Sequence, residues 1–381
     1  MVFLLGGIAA LGSAATQLLV PALPLIARDL AAGAAEAQLV IGAFLVAMGL
    51  GQLACGPLAD RFGRKHLLLA GLALFCLGSL LAALAPVLPV LLAGRCLQAL
   101  GAAAGIVTAR LMLGDLFPPE QAAQAQASLM GIVLVSPVLA PVIGGQLAEW
   151  LGWWAVLLLL AGAGAAGLML AAARLPAPTR SAPRHRPALR AAYGELFRNR
   201  AFLSATCALA AGSAGLYMFL GFAPFILQEL HGLSPRDTGL CLMLVALASM
   251  GGTRLVRPVE RNGDALLAGC GTALGGSLLL AIGAVSGSGN LAWFIGPVVM
   301  LGLAAGLTGP AAIARVLHAR PGLEGTATSL AGAVQMGSSA AAGYALGHAG
   351  AVSTMLLAMA LVPTALLGCL AAIQSSWLQY R

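Results

Sequence analysis

Charge is what this sequence has least of. Only 8% of its 381 residues are Asp, Glu, Lys or Arg, against about 25% in a soluble domain. So few charges cannot coat a water-facing surface of this size, which excludes a soluble enzyme. With 60% of residues hydrophobic, a disordered chain is excluded too. Carboxylates are scarcer still, 12 in all, and this scarcity returns below as a question about protons. The cysteines (Cys55, Cys76, Cys96, Cys207, Cys241, Cys270 and Cys369) are scattered through apolar stretches without a C-x-x-C pair. They read as small packing residues, not as a disulfide scaffold or metal ligands. No nucleotide-binding loop, H-E-x-x-H run or Ser/His/Asp set is present, so an enzyme is not expected, nor any metal or cofactor.

What the sequence does have is long apolar runs. Mean hydropathy is +0.96, and 50 residues are Gly, which suits helices packed closely in lipid. A helix needs about 20 apolar residues to cross a bilayer. The runs at 2–25, 37–57, 67–85, 88–112, 124–148, 152–173, 201–226, 237–256, 265–285, 291–314, 324–346 and 351–374 predict twelve crossings. The first reads as a span and not a cleaved leader, having no basic n-region and too long an apolar stretch. The basic residues then set the orientation. Arg61, Arg64 and Lys65, the seven Arg between 174 and 200, Arg254, Arg257 and Arg261, Arg315 and Arg320, and Arg381 all fall on even-numbered junctions or at the C-terminus. By the positive-inside rule both termini are cytoplasmic. The net charge of +8 is thereby a topological feature, and nucleic acid is not an expected partner. Trp150, Trp153, Trp154, Trp293 and Trp377 fall at predicted interfaces, where indoles gather.

The one long connection, 174–200, holds Pro176, Pro178, Pro183 and Pro187 among its arginines. It divides the chain into residues 1–173, a basic linker 174–200, and 201–381. Its stretch 188–198 reads either as an amphipathic helix on the anionic inner leaflet or as a solvated tether. The halves resemble each other at an offset of 200 residues: Pro24 with Pro224, Gly51 with Gly251, Asp60-Arg61 with Glu260-Arg261, Gly63 with Gly263, and Gly71 with Gly271. Internal duplication of this kind builds many membrane transporters.

Three local patterns stand out. After the second span comes Gly56-Pro57-Leu58-Ala59-Asp60-Arg61-Phe62-Gly63-Arg64-Lys65. Gly56 lets helices approach, Asp60 can cap the next helix or hold an ion pair, Gly63 permits a tight turn, and the basic cluster can anchor at anionic lipid. The plain alternative is a positive-inside turn with helix caps. In the fourth span, Arg95 lies about 10 Å inside the helix start at 1.5 Å per residue. A charge at that depth is a functional candidate, unless it snorkels to the outer interface. In the fifth span, Ser136-Pro137-Val138-Leu139-Ala140-Pro141-Val142-Ile143-Gly144-Gly145 combines helix-bending Pro137 and Pro141 with closely packing Gly144 and Gly145. It reads either as part of a transport mechanism or as a kinked, tightly packed helix.

The loop resembles the signature loop of the major facilitator superfamily over its whole G-x-L-A-D-R-x-G-R-K core. Arg95-Cys96-Leu97-Gln98-Ala99-Leu100-Gly101 resembles that family's R-x-x-Q-x-x-G pattern. The fifth span is similar to its antiporter motif, G-P-x-x-G-G, with Ala140 replacing the Gly before Pro141. With Pro21-Ala22-Leu23-Pro24, Gly325-Thr326-Ala327-Thr328-Ser329 and Gln335, the chain looks like the bicyclomycin-resistance (Bcr/CflA-like) type of drug–proton antiporter. The resemblance implies an all-α polytopic fold of twelve transmembrane helices in two pseudo-symmetric six-helix bundles. It implies that Gly56, Asp60, Arg61, Gly63 and Arg64 gate the conformational change and that Arg95 takes part in proton coupling. The implied protein is a monomer of a bacterial-type inner membrane that exports small organic molecules by alternating access, with the proton as coupling ion and lipid around it. An importer or facilitator of a small metabolite with the same fold is the alternative.

One departure bears on coupling. That subfamily carries an Asp four residues before the first Pro of P-A-L-P, and here the position is Gln17. An amide cannot bind and release a proton near neutral pH. Either Glu36 or Asp115 lies deeper than the pattern indicates, or the substrate carries the proton, or the protein is a facilitator. Thr16, Gln17, Gln38, Gln98, Tyr217, Phe222 and Gln335 are the expected cavity-lining residues, each with a helix–helix hydrogen bond as the plain alternative. So few charges favour neutral, lipophilic or zwitterionic cargo.

Overall fold

Apolar runs in lipid must satisfy every backbone polar group internally, which leaves the helix as the natural state for each. A computed structural model describes residues 1–176, 189–287 and 290–379. Arg180, Arg184, Arg186, Pro178, Pro183 and Pro187 of the basic connection, and Arg381, lie outside the described residues.

The chain opens with α1 (Val2–Gln17), a 3-10 turn at Val20–Ala22 and α2 (Leu23–Asp29). The predicted first span is one membrane-length stretch, Val2–Asp29, with a 3-10 turn inside it. Pro21 and Pro24 occupy first-turn positions of the new segments, where the missing N–H costs nothing. Next come α3 (Ala34–Phe62), α4 (Arg64–Ala83), α5 (Leu88–Leu116), α6 (Pro119–Leu151) and α7 (Trp153–Arg174). The short α8 (Leu189–Arg198) precedes α9 (Arg200–Phe225), which runs into a π-helical turn at Ile226–Leu230. Then follow α10 (Pro235–Asn262), α11 (Ala265–Val285), α12 (Ala292–His318), α13 (Glu324–His348) and α14 (Thr354–Gln379). No strand occurs among the described residues.

Eleven helical stretches are long and apolar enough to cross a membrane. The remaining predicted span, the eleventh at 324–346, is the full-length helix α13, but Gly, Ser, Thr and Gln residues dilute its apolarity. The small residues have a packing use, since α13 lies along α9 and carries Ser339 into the interior at 1% exposure.

Two compact units form. The first holds Met1–Arg184 with Ser234–Leu240, and the second holds His185–Leu233 with Cys241–Arg381. In the first, α4 and α5 meet with almost no side chain between them. A Cβ at Gly94 would overlap the backbone of Ala82, and one at Gly101 the backbone of Phe75. In the second, Gly302 and Gly306 bring α12 equally close to the carbonyls of Val245 and Ser249 on α10. Not every glycine match of the 200-residue repeat survives in space: Gly71 packs on Ala104, whereas Gly271 faces open space. Of the solvated-tether reading of 188–198, α8 disposes directly. It buries Ala192 and Leu196 in the second unit's core and pairs Glu195 with Arg320.

Four tryptophans are partly or well exposed, as lipid-interface residues should be, from Trp150 at 72% to Trp293 at 39%. Trp153 differs: it is buried, and its Nε1 donates to Asp29 Oδ2 at 3.2 Å.

Candidate functional site

Arg95 is the largest fully buried side chain among the described residues, at 0% exposure. It does not snorkel. Its Nε donates to the carbonyl of Val40 on α3 at 3.2 Å, and Nη1 to the carbonyl of Ala15 on α1 at 3.1 Å. Nη1 also donates to Gln98 Oε1 at 2.5 Å. The guanidinium lies 4.2 Å from the ring centre of Phe44, a cation–π contact of the stronger, desolvated kind. Gln98 passes the chain on, its Nε2 donating to Ser79 Oγ at 2.7 Å, and Ser79 donates to Phe75 O. One side chain thus ties α1, α3 and α5 together, just before α1 ends. Nη2 finds no hydrogen-bond partner among the described residues.

The signature loop grips helix ends. Gly63 has φ +85 and separates α3 from α4, a backbone state that favours glycine. Beyond it, Arg64 donates to the carbonyl of Leu111 at 2.5 Å and forms an ion pair with Asp115, both at the end of α5. Lys65 donates to Ala172 O at 3.2 Å and Leu175 O at 2.7 Å at the end of α7. This corrects the expectation that the basic cluster anchors at lipid. Carbonyls near a helix C-terminus attract cations, and Arg64 and Lys65 are engaged with such helix ends. Gly63, not Asp60, holds the N-cap position of α4. Asp60 and Arg61 are exposed on the last turn of α3, Arg61 over the ring of Phe62, and Gly56 is half-buried.

The second unit holds a counterpart that the sequence reading missed. Asp264 caps α11 by accepting the Leu267 N–H at 3.0 Å. Its Oδ1 pairs with Arg315 Nη2 at 2.5 Å, and its Oδ2 accepts from Ser376. Arg315 Nη1 donates to Ser375 Oγ at 3.1 Å. Partial burial pushes the Asp264 carboxyl up, but these hydrogen bonds and the Arg315 charge outweigh it and hold the carboxyl below its usual value. Adding 200 to Arg64 and Asp115 gives Asp264 and Arg315. The ion pair recurs at the repeat offset with its charges exchanged. A search for identical residues passes over such a pair, and a search for complementary ones finds it.

Tyr217 and Gln335 share a cavity of about 180 Å³ inside the second unit. Ser213, Ser249 and Thr308 also line it. Gln335 Nε2 donates to Ser213 Oγ at 3.2 Å, and Ser339 donates to the same oxygen at 3.1 Å. No Asp, Glu, Lys, Arg or His lines this cavity. The other expected lining residues lie elsewhere. Thr16 is buried and donates to Gly12 O in its own helix, Gln38 and Phe222 are buried in packing, and Gln98 serves Arg95. Gln17 is half-buried as the last residue of α1.

In the fifth span, α6 runs unbroken through Pro137 and Pro141. Gly144 packs on the carbonyl of Leu18, where α1 ends, and Gly145 on the carbonyl of Pro235 within the same unit. A Cβ at either position would overlap those backbones. All twelve carboxylates sit in the end turns of helices, in caps or in α8. Glu36 accepts the Gly33 N–H at 2.9 Å in a capping box, and Asp115 is paired with Arg64. Neither lies at mid-span, so neither takes the place left by Gln17.

Eleven membrane-length apolar stretches, with α13 beside them, the gripping loop and the duplicated ion pair define a secondary transporter fold built from two related halves. The model of the Major Facilitator Superfamily matches residues 2–344, and the chain belongs to that family. It is 32% identical over 327 residues to Multidrug resistance protein D of Escherichia coli (strain K12), covering 86% of this chain and 83% of that protein. It is 29% identical over 309 residues to a Chloramphenicol resistance protein of Pseudomonas aeruginosa, covering 79% and 73% respectively. Among solved structures, a bacterial homologue of the lysosomal transporter Spinster superposes with a TM-score of 0.78 at 18% identity, covering 100% of this chain and 96% of that one. A D-xylose–proton symporter superposes at 0.79 and 16%, covering 98% and 96%. At these identities the two structures speak for the fold alone.

Proposed function

We propose that this protein is a secondary-active exporter of small, uncharged organic molecules, working by alternating access and driven by protons. The uncharged, hydrogen-bonding cavity around Ser213, Tyr217, Ser249, Thr308 and Gln335 carries this reading. Hydroxyl and amide groups recognise hydroxyl, amide or carbonyl groups on a cargo. A permanent cation in this cavity would have no counter-charge to offset its desolvation. The names of the relatives, one for multidrug and one for chloramphenicol resistance, support outward transport of foreign compounds. In this reading the protein is a monomer of a bacterial inner membrane with both termini cytoplasmic, and it carries out no chemistry on its cargo. Gly56, Asp60, Arg61, Gly63 and Arg64 gate the first half, and Pro137, Pro141, Gly144 and Gly145 form a packing surface on which it turns. Arg95 positions the end of α1.

A facilitator is the second reading, favoured by the placement of every carboxylate at a helix end or in α8. The test is a tolerance screen in an efflux-deficient host, using uncharged and cationic compounds of matched size. Export of uncharged cargo predicts protection confined to that set and abolished by Ser213→Val with Gln335→Leu. Protection against cations alone overturns the reading.

A further inference from the structure

At the start of α9 the second unit carries an open groove of about 490 Å³ between α9 and α14. Its polarity changes along its length. Arg200 and Ser204 on α9, with Gln374 on α14, line one end; Leu203, Cys207, Leu367 and Leu370 line the rest. The helices run in opposite directions across the bilayer, so the polar residues of both lie toward the same membrane face. From Arg200 to Cys207 is seven residues, about 10 Å at 1.5 Å each. Leu367 is 60% exposed and Leu370 63%. On a membrane-spanning helix such exposure means contact with acyl chains.

Charge at the polar end is unbalanced. Arg200 lines that end and Arg198 lies two residues before it in the chain; both are exposed, and neither makes an ion pair among the described residues. The one nearby acid on α8, Glu195, is already paired with Arg320. Phe197, next to Arg198 in sequence, is 55% exposed. Because α8 is packed on the second unit's core through Ala192 and Leu196, this corner is a fixed feature of the unit.

We infer that the groove between α9 and α14 is a binding site for one anionic phospholipid, its phosphate held by Arg198 and Arg200 and an acyl chain lying along Leu203, Cys207, Leu367 and Leu370. A basic pocket between membrane helices at the cytoplasmic face is a recognised way to hold such a headgroup. The choice of leaflet rests on the orientation given under the proposed function. The binding itself does not, because in detergent neither face is defined.

The full-length protein in neutral detergent is titrated with phosphatidylglycerol or phosphatidylcholine, and bound lipids are counted by native mass spectrometry. The wild type is expected to retain one phosphatidylglycerol in preference to phosphatidylcholine. At about fivefold for each arginine, Arg198→Gln with Arg200→Gln should reduce that preference roughly 25-fold. Leu370→Trp keeps both charges and fills the groove, and it too should lose the retained lipid. Equal retention of the two lipids by the wild type, or an unchanged preference in the double Gln variant, overturns the site. Accessibility of a C-terminal tag in intact cells reads the orientation separately, so failure of that reading is distinguishable from failure of the site.

Discussion

Arg95→Lys separates a role in geometry from a role in charge. Lysine keeps the positive charge but offers a single ammonium in place of a planar fork. It cannot reach Ala15 O, Val40 O and Gln98 Oε1 together from one point on α5, as Arg95 does at 3.1, 3.2 and 2.5 Å. Two of the three contacts should be lost. At about 1 kcal/mol for each buried hydrogen bond, the change costs about 2 kcal/mol. For a unit of 150–250 residues that is a fall of about 4–8 °C in melting temperature. Arg95→Ala loses all three contacts, opens space beneath Phe44 and leaves Gln98 Oε1 without its donor, so about 4 kcal/mol is expected. The assay is thermal melting of the purified protein in detergent, with transport measured on the same preparations. The strap role predicts that Lys lowers stability and transport together. A Lys variant that melts within about 1 °C of wild type and transports at the wild-type rate would refute the reasoning and leave Arg95 as a charge alone.

The other expectations concern the ion pairs and the missing carboxylate. Arg64→Asp and Asp115→Arg should each slow turnover more than they weaken cargo binding. The double exchange, which copies the polarity of Asp264 and Arg315, should recover most of the rate, and a double variant no better than the singles would show that polarity is not interchangeable. Asp264 is held below its ordinary value of 3.8. Its contribution to the second unit's stability is therefore complete above that pH and lost only as pH falls through the lower folded value. Melting should show no step from Asp264 between about pH 5 and 8, and a step there that Asp264→Asn removes would contradict this. Gln17→Asp places a titratable group at the end of α1, so transport should gain a dependence on pH. An unchanged pH profile would mean that the half-buried end of α1 is not on the proton path.

Much of the fold was legible because lipid enforces a simple rule. Apolar length marked eleven of the twelve spans as membrane-length stretches, and the remaining one, α13, forms a full-length helix. The misreadings have local causes. The first span stands as one crossing stretch, and apolarity alone does not show the turn inside it, where Pro21 and Pro24 take first-turn positions. A cluster of basic residues suggests lipid, and the sequence does not reveal that the carbonyls of Leu111, Ala172 and Leu175 come within reach of Arg64 and Lys65. Of the cavity residues, Tyr217 and Gln335 share one space, while Ser213, Ser249 and Thr308 went unnoticed. Small hydroxyl residues are common in membrane helices, and only their convergence distinguishes them. Asp264 and Arg315 were hidden by the exchange of charge between the halves.

The central claim is that the protein moves uncharged cargo outward at the expense of a proton gradient. Its most direct measurement is flux in proteoliposomes under an imposed pH gradient, using one uncharged compound active in the tolerance screen and a permanently cationic compound of similar size. The account predicts gradient-driven movement of the uncharged compound, collapse of that movement when a protonophore is added, and no movement of the cation. Movement of the cation, or flux of the uncharged compound that ignores the gradient, would contradict it.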